Sequence, residues 1–320
     1  MSHPTYVFGS HQIEGFSKSD LQALLDILKS RGIKHIDTAR VYGDSEKCLG
    51  EVKAAQSFTI DTKSPAFVPK ALSGASLADG IQKSLSLLGT AKVDTYYLHA
   101  PDNDTPIEET VDAIQALHRQ GKFERFGLSN FLPEDVRKIH AYAQSKGGVV
   151  PSVYQGNYNA FARTIEDNLF PLLRELGIAF YAYSPLAGGF FAKRPDDLES
   201  KKAEGRFDPS TISGQMYNTL YTKPTTIAAL RHWNQIAEHA GDSSVNLAYR
   251  WAVFNSKLDA GLGDAVILGA SRPAQLENTL SALDAGPLKP ETVDQIEKLW
   301  KLIEKDAPLD NYHSFAKEFM

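Results

Sequence analysis

The chain has 320 residues, of which 42% are hydrophobic and 23% charged, the make-up of an ordinary globular protein. A formal net charge of -5, with Lys and Arg dispersed along the chain, excludes the basic stripe of a nucleic-acid or anionic-membrane binder. The single cysteine, Cys48, excludes an intrachain disulfide, and no apolar run approaches the roughly 18–20 residues of a membrane span.

Met1 to Ser10 lacks the basic and apolar regions of a signal peptide, so the cytosol is the expected address. In chain order, Tyr6–Ser10 reads as the first of a series of short, β-rich apolar runs. Ser19 is expected to cap a helix running to about Ser30, with Gly32 as its stop. Ile33–Ala39 is the second strand; it runs into a turn that carries Tyr42, and a helix over Ser45–Val52 then holds Cys48 as a packed thiol. Phe58–Lys63 and Val93–His99 are the next two strands. Thr105-Pro106 opens a helix ending near Gly121, with Glu108 and Glu109 placed to complement its dipole. After the strand Phe123–Ser129, Pro133 with Glu134 and Asp135 opens another helix, and strands follow at Ser152–Asn157 and Ile178–Pro185.

Leu186 to Lys223 breaks the rhythm. It is a long, polar connection of the kind that forms functional lids or stays disordered. Ala265–Ala270 is the eighth strand, Ser271 to Pro273 opens the helix behind it, and a final helix lies around Glu291–Lys305. The tail from Ala307 to Met320 carries Tyr312, Phe315 and Phe319, and packs either over a barrel mouth or against the outer surface.

Eight β-strands alternating with helices point to one α/β domain over residues 1–320, a closed (β/α)8 TIM barrel with a long loop after strand 7 and a C-terminal tail. A doubly wound nucleotide fold would need Gly-x-Gly-x-x-Gly after its first strand; Gly261-Leu262-Gly263 precedes a strand and lacks the third glycine.

In such a barrel all strand C-termini face one mouth. Asp37, Lys63 and His99 stand at three successive strand ends, about 4.8 Å apart from strand to strand, and Tyr42 lies in the loop after the first of them. A phenol is a poor acid near neutral pH. An adjacent ammonium favours the phenolate, a carboxylate holds the ammonium in place, and a neutral imidazole orients a carbonyl oxygen. These groups suit protonation of a developing alkoxide, and because no side chain supplies hydride, a nicotinamide cofactor is implied. His35 and Asp37 share a strand face, but a metal-dependent hydrolase would need a His-x-His pair and a dense ligand set, so no metal is expected.

His35-Ile36-Asp37-Thr38-Ala39-Arg40-Val41-Tyr42, Asp61-Thr62-Lys63, Tyr97-Leu98-His99-Ala100-Pro101-Asp102, Gly127-Leu128-Ser129-Asn130-Phe131 and Tyr181-Ala182-Tyr183-Ser184-Pro185-Leu186 follow one another along the chain. In these stretches the chain resembles the aldo-keto reductase superfamily. Ala187-Gly188-Gly189, Gly205-Arg206-Phe207 and Gly263 to Gly269 resemble its aflatoxin-aldehyde and succinic-semialdehyde reductase branch. The resemblance implies NADPH-dependent reduction of aldehydes and some ketones, with a small-molecule carbonyl substrate and a monomer or homodimer. It makes Tyr42 the general acid, tuned by Lys63 and Asp37, with His99 orienting the carbonyl. Ser129, Asn130 and Gln155 would hold the nicotinamide carboxamide and Tyr183 would stack on the ring. Ser184, Pro185, Leu186 and Gly188 would wrap the pyrophosphate.

The resemblance places the adenine end at Gly269, Ser271, Arg272, Gln275 and Asn278, where a serine and an arginine at a helix N-terminus favour the 2′-phosphate of NADP. Many members carry an acidic or amide residue followed by Asn against the adenine; here Asn278-Thr279 departs from that pair. Arg194 and Arg206 align with basic residues that close over the cofactor. The alternative reading is a non-catalytic NADP-binding regulatory barrel, like the potassium-channel β subunits of the same superfamily.

Overall fold

Along five of the barrel strands the apolar residues fall into two sets, offset by one position. Val7, Tyr97, Val153, Tyr181, Ala265 and Ile267 form one buried cluster. Their sequence neighbours Phe8, Tyr96, Leu98, Tyr154, Phe180, Ala182, Val266 and Leu268 belong to a second and much larger cluster that includes the helices. That alternation is the period of a strand with one face inside a barrel and the other under a helical coat.

The computed structural model describes residues 3–319; Met1, Ser2 and Met320 lie outside the described residues, as does the side chain of Phe319. The strands are β1 (Thr5–Gly9), β2 (His35–Asp37), β3 (Thr59–Lys63), β4 (Val93–Leu98), β5 (Phe123–Ser129), β6 (Pro151–Asn157), β7 (Ala179–Tyr183) and β8 (Ala265–Gly269). They close in chain order into one parallel barrel, β8 pairing back onto β1 through Val7 and Ile267. The helices are α1 (Lys18–Ser30), α2 (Ser45–Glu51), α3 (Gly74–Leu88), α4 (Ile107–Arg119), α5 (Pro133–Ser145), α6 (Ile165–Glu175), α7 (Pro195–Glu199), α8 (Ile212–Tyr221), α9 (Pro224–His239), α10 (Ser244–Arg250), α11 (Pro273–Leu283) and α12 (Pro290–Ile303). Among the described residues no helix is long and apolar enough to cross a membrane.

The expected strands all form, but most are shorter at the mouth end. Thr38, Ala39, His99, Ser184 and Pro185 have left the ladder and belong to the loops that build the site. The cap of α1 also differs: Ser17, not Ser19, accepts the Asp20 amide, because Ser17 has the extended backbone a cap needs while Ser19 is already helical. Glycine is required at Gly127 by close approach, since a Cβ there would lie 2.3 Å from the Tyr97 ring inside the barrel.

The segment after β7 is ordered, so of the two expectations, a functional lid or a disordered loop, the disordered one is corrected. It forms a 3-10 turn over Ala187–Ala192, then α7, a second turn over Gly205–Phe207, and α8. Aromatic side chains pin it down: Phe191 lies 4.5 Å from Trp233 and 4.9 Å from Phe161, centroid to centroid, and Phe207 lies 5.7 Å from Tyr217. The tail also has a defined place, over the mouth rather than on the outer surface. Tyr312 is buried against Ala66 and Ala100, and the Asn311 amide donates to the Tyr183 hydroxyl at 3.4 Å.

Candidate active site

Strand register does most of the positioning. Asp37 lies level with Asp61 across β2 and β3, and Lys63 lies level with Tyr97 across β3 and β4. The Lys63 ammonium is fully buried and donates to both Asp37 oxygens, at 2.8 and 2.6 Å, and to the Thr38 carbonyl at 2.8 Å. Gln155 on β6 reaches across the barrel and donates to Asp37 Oδ1 at 2.8 Å. The carboxylate is thus fully engaged, as a buried charge must be.

Tyr42 is set by a hydroxyl net beneath its loop. Its amide donates to the Ala39 carbonyl and its own carbonyl accepts the Ser45 amide, forming a tight turn. The Ser45 hydroxyl lies 2.7 Å from Ser10 Oγ and 2.9 Å from Thr38 Oγ1, and Thr62 donates to the buried Glu46 at 2.7 Å. The Tyr42 ring centroid is then 4.7 Å from Lys63 Nζ, and the His99 ring meets Tyr42 edge-on at 5.9 Å and 82°.

Burial raises the Tyr42 phenol above its ordinary pKa and outweighs the Lys63 charge, which acts in the lowering direction as expected. The phenol is therefore a proton donor at neutral pH, with a cation beside it to hold the anion it leaves. Burial pulls the Lys63 ammonium down, but Asp37 and Tyr42 more than offset this and keep it charged. Burial, then the Lys63 charge, push His99 well below the usual imidazole range, so its ring is neutral. Its Nδ1 is buried without a partner.

Above this floor lies a cavity of about 770 Å³, ample for a cofactor and a small substrate together. Of the residues expected to hold a cofactor, Ser129, Asn130, Gln155, Tyr183, Ser184, Pro185, Leu186, Gly188, Arg206, Gly269, Ser271 and Gln275 line it. The Tyr183 hydroxyl donates to Asn130 Oδ1 at 2.8 Å, and Asn130 Nδ2 donates to the His99 carbonyl at 2.9 Å. Four residues other than glycine take left-handed backbone at strand ends around the mouth: Phe67, Asn130, Ser184 and Ala187. Such conformations are costly and persist where the surroundings enforce them. After β7, Ser184 and Ala187 make a tightly turned loop with Gly188, whose φ is +68° and whose Cβ would strike the Tyr217 ring at 2.0 Å. Small residues and turned backbone of this kind suit a pyrophosphate.

Three expected residues do not join the wall. Arg194 is 79% exposed and pairs only with Asp197 of its own helix; Lys193, one position earlier, lines the cavity instead. Arg272 is the exposed N-cap residue of α11, and Asn278 is exposed further along that helix. Ser271 is not the cap; its amide and hydroxyl both donate to Gln275 Oε1, at 2.9 and 3.0 Å.

The sequence reading also missed wall residues, His11, Phe67, Tyr217 and Tyr249 among them. His11 was legible by the strand-end rule, since it follows the end of β1 by two positions. Its ring lies 4.7 Å from that of Tyr42, and burial together with Arg206 and Lys63 lowers its pKa to about 4. His35 and Asp37 part company: Asp37 belongs to this floor, whereas His35 starts β2 at the far end of the barrel.

A family model described as "Aldo/keto reductase family" matches residues 5–301. Oxidoreductase sirO of Leptosphaeria maculans is 41% identical over 286 residues, covering 89% of this chain and 86% of that protein. Human aldo-keto reductase family 7 member A3 is 40% identical over 291 residues, covering 87% of this chain and 88% of that protein. Human aflatoxin B1 aldehyde reductase member 2 is 39% identical over 290 residues, covering 87% and 81% respectively.

Proposed function

The chain belongs to the aldo/keto reductase family, on its aflatoxin-aldehyde reductase branch, and from that premise we propose that it reduces aldehydes and some ketones to alcohols with NADPH. The observation that carries the proposal is the floor of the cavity, where a buried, protonated phenol stands against a buried ammonium–carboxylate pair and a neutral imidazole.

A bound dihydronicotinamide would be the source of the hydride. His99, as the Nε2–H tautomer, orients the carbonyl oxygen towards Tyr42 and polarises it. As negative charge develops on that oxygen, the Tyr42 hydroxyl transfers its proton to it. The tyrosinate left behind is stabilised by Lys63, which Asp37 keeps charged and in position, and Gln155 holds Asp37. Ser129 and Asn130 serve the carboxamide and Tyr183 the ring face. The left-handed loop from Ser184 to Gly188 serves the pyrophosphate, and Ser271 with Gln275 the adenosine end. Arg272 makes no ion pair among the described residues and stands beside Ser271, free to take the 2′-phosphate.

The test is turnover. NADPH oxidation is followed with a nitrobenzaldehyde, succinic semialdehyde and simple aliphatic aldehydes, alongside a direct NADPH titration. Aldehyde-dependent oxidation that saturates supports the reading. Tight NADPH binding with no aldehyde-dependent oxidation would replace it with the regulatory barrel.

A further inference from the structure

At the N-terminal end of the barrel, opposite the cavity, lies a second cluster of polar side chains. His35 at the start of β2, Asp61 on β3 and Asp94 on β4 each offer one ligand atom, all within 4.8 Å of one another. Asp61 is fully buried, and its Oδ1 accepts the Thr95 amide at 3.1 Å while its Oδ2 has no partner among the described residues. His35 Nδ1 is also buried without a partner among them. Two orphaned acceptor-capable atoms in one buried cluster are costly, and something that bonds both would relieve the cost.

We propose that His35, Asp61 and Asp94 form a divalent-cation site at the base of the barrel, suited to an ion such as Zn²⁺. One imidazole nitrogen with two carboxylate oxygens is a borderline donor set, which favours Zn²⁺ over the all-oxygen preference of Mg²⁺. Zinc bonds to N and O of about 2.0–2.2 Å place neighbouring ligand atoms roughly 3–4 Å apart, within reach of small side-chain rotations from the present spacing. Surrounding groups hold the ligands in place, as the outer partners of a metal site do. The Arg125 guanidinium grips Asp94 through Oδ2 alone, from Nε at 2.7 Å and from its second terminal nitrogen at 2.6 Å. Thr95 Oγ1 donates to the same oxygen at 3.0 Å, which leaves Oδ1 of Asp94 for an ion. Arg125 is steadied in turn by the Tyr181 hydroxyl at 3.2 Å. Its charge lowers the affinity, so binding is set in the micromolar range rather than below it. His35 and Asp94 are only half-buried and give an ion a path from the base, while Asp61 closes the site from within. Water completes the coordination. None of the three ligands takes part in the chemistry proposed at the mouth, although Asp61 lies level with Asp37 on the neighbouring strand, so the proposal does not depend on the catalytic reading.

The test uses the full chain, stripped with a chelator, desalted, and titrated by calorimetry with Zn²⁺ and separately with Mg²⁺. The expected result is micromolar Zn²⁺ uptake at this site, a higher melting temperature with Zn²⁺, and no comparable effect of Mg²⁺. Asp61→Asn and His35→Gln should each bind one zinc fewer than the parent, or bind it at least tenfold more weakly, and lose the melting shift. Asp310→Asn, which disrupts the separate His313–Asp310 pair, should leave both readouts unchanged. Circular dichroism establishes that each variant is folded before titration. No zinc uptake by the parent chain, or the same zinc number and affinity in both Asp61→Asn and His35→Gln, overturns the proposal.

Discussion

Two buried carboxylates, level with each other on adjacent strands of this barrel, are treated in opposite ways. At the mouth, Asp37 receives an ammonium on both oxygens and an amide on one. At the base, Asp61 keeps one oxygen without a partner, and burial, only partly offset by Arg125, pushes its carboxyl up to about 8. The first arrangement stores a charge that can act on a neighbour. The second holds a proton when nothing else is bound. Both carboxylates sit at the same level on adjacent strands, so what separates them is which cation the register brings within reach.

Five substitutions, one of them read across a pH series, put that contrast under strain. Tyr42→Phe removes only the proton donor, so kcat for aldehyde reduction should fall by about 10²–10⁴ while NADPH titrates as before. A variant that keeps most of its kcat would take Tyr42 out of the chemistry. Lys63→Met leaves Asp37 buried and unpaired, and should cost about 3–5 kcal/mol in denaturant unfolding as well as activity. Unchanged stability would mean that Gln155 alone satisfies the carboxylate. Arg272→Ala should weaken NADPH by about 1.5–3 kcal/mol while leaving NADH nearly untouched, the difference being one charge-assisted hydrogen bond. Equal losses for the two cofactors would remove Arg272 from recognition of the 2′-phosphate.

His99 gives the pH dependence. Its folded-state pKa is depressed below the unfolded value of about 6.5, so its contribution is fully present above that pH. As pH falls, the unfolded chain takes up a proton that the folded chain refuses, and stability declines by up to about 1.4 kcal/mol per pH unit until the folded pKa is reached. His99→Gln should flatten that part of the stability curve, read by urea unfolding between pH 7 and 5. Parallel curves for parent and variant would mean that burial does not keep the ring from taking up a proton in the fold. The base responds with the opposite sign. In metal-free protein at pH 6, Asp61→Asn should raise stability, since folding makes the parent protonate a carboxyl that is ionised in the unfolded chain, at up to about 1.4 kcal/mol per pH unit above the unfolded value of about 3.9, and the neutral amide avoids that cost. A loss as large as that of Lys63→Met would show that the two carboxylates are not different in kind.

The legibility of the site follows the same division. Asp37, Lys63 and His99 could be found because each is a polar residue at the end of an apolar strand, a position that the two-residue period and the barrel geometry define locally. Tyr183, Ser184 and Gly188 came instead from the family resemblance of the stretch around β7. Arg194 was misplaced because the stretch after β7 was read as a loop, whereas aromatic packing folds it into helices and turns Lys193 inwards in its stead. Ser19 was preferred to Ser17 because two serines one turn-step apart cannot be told apart without the backbone angle that makes one of them the cap. The base cluster escaped notice because His35, Asp61 and Asp94 are separated along the chain and none of them stands at a strand's mouth end.

By itself the amino-acid sequence determined the eight βα units, the single barrel they close into, and the set of four polar residues at and beyond the ends of β2 to β4, because these depend on local periodicity and on a topology with one mouth. Only the tertiary structure decided which of two nearby cations, Lys193 or Arg194, faces the cavity, that Gln155 holds Asp37, that the tail covers the mouth, and that burial outweighs Lys63 in setting the Tyr42 phenol. Those outcomes depend on distance and dehydration between residues far apart in the chain, and both are properties of the packed interior.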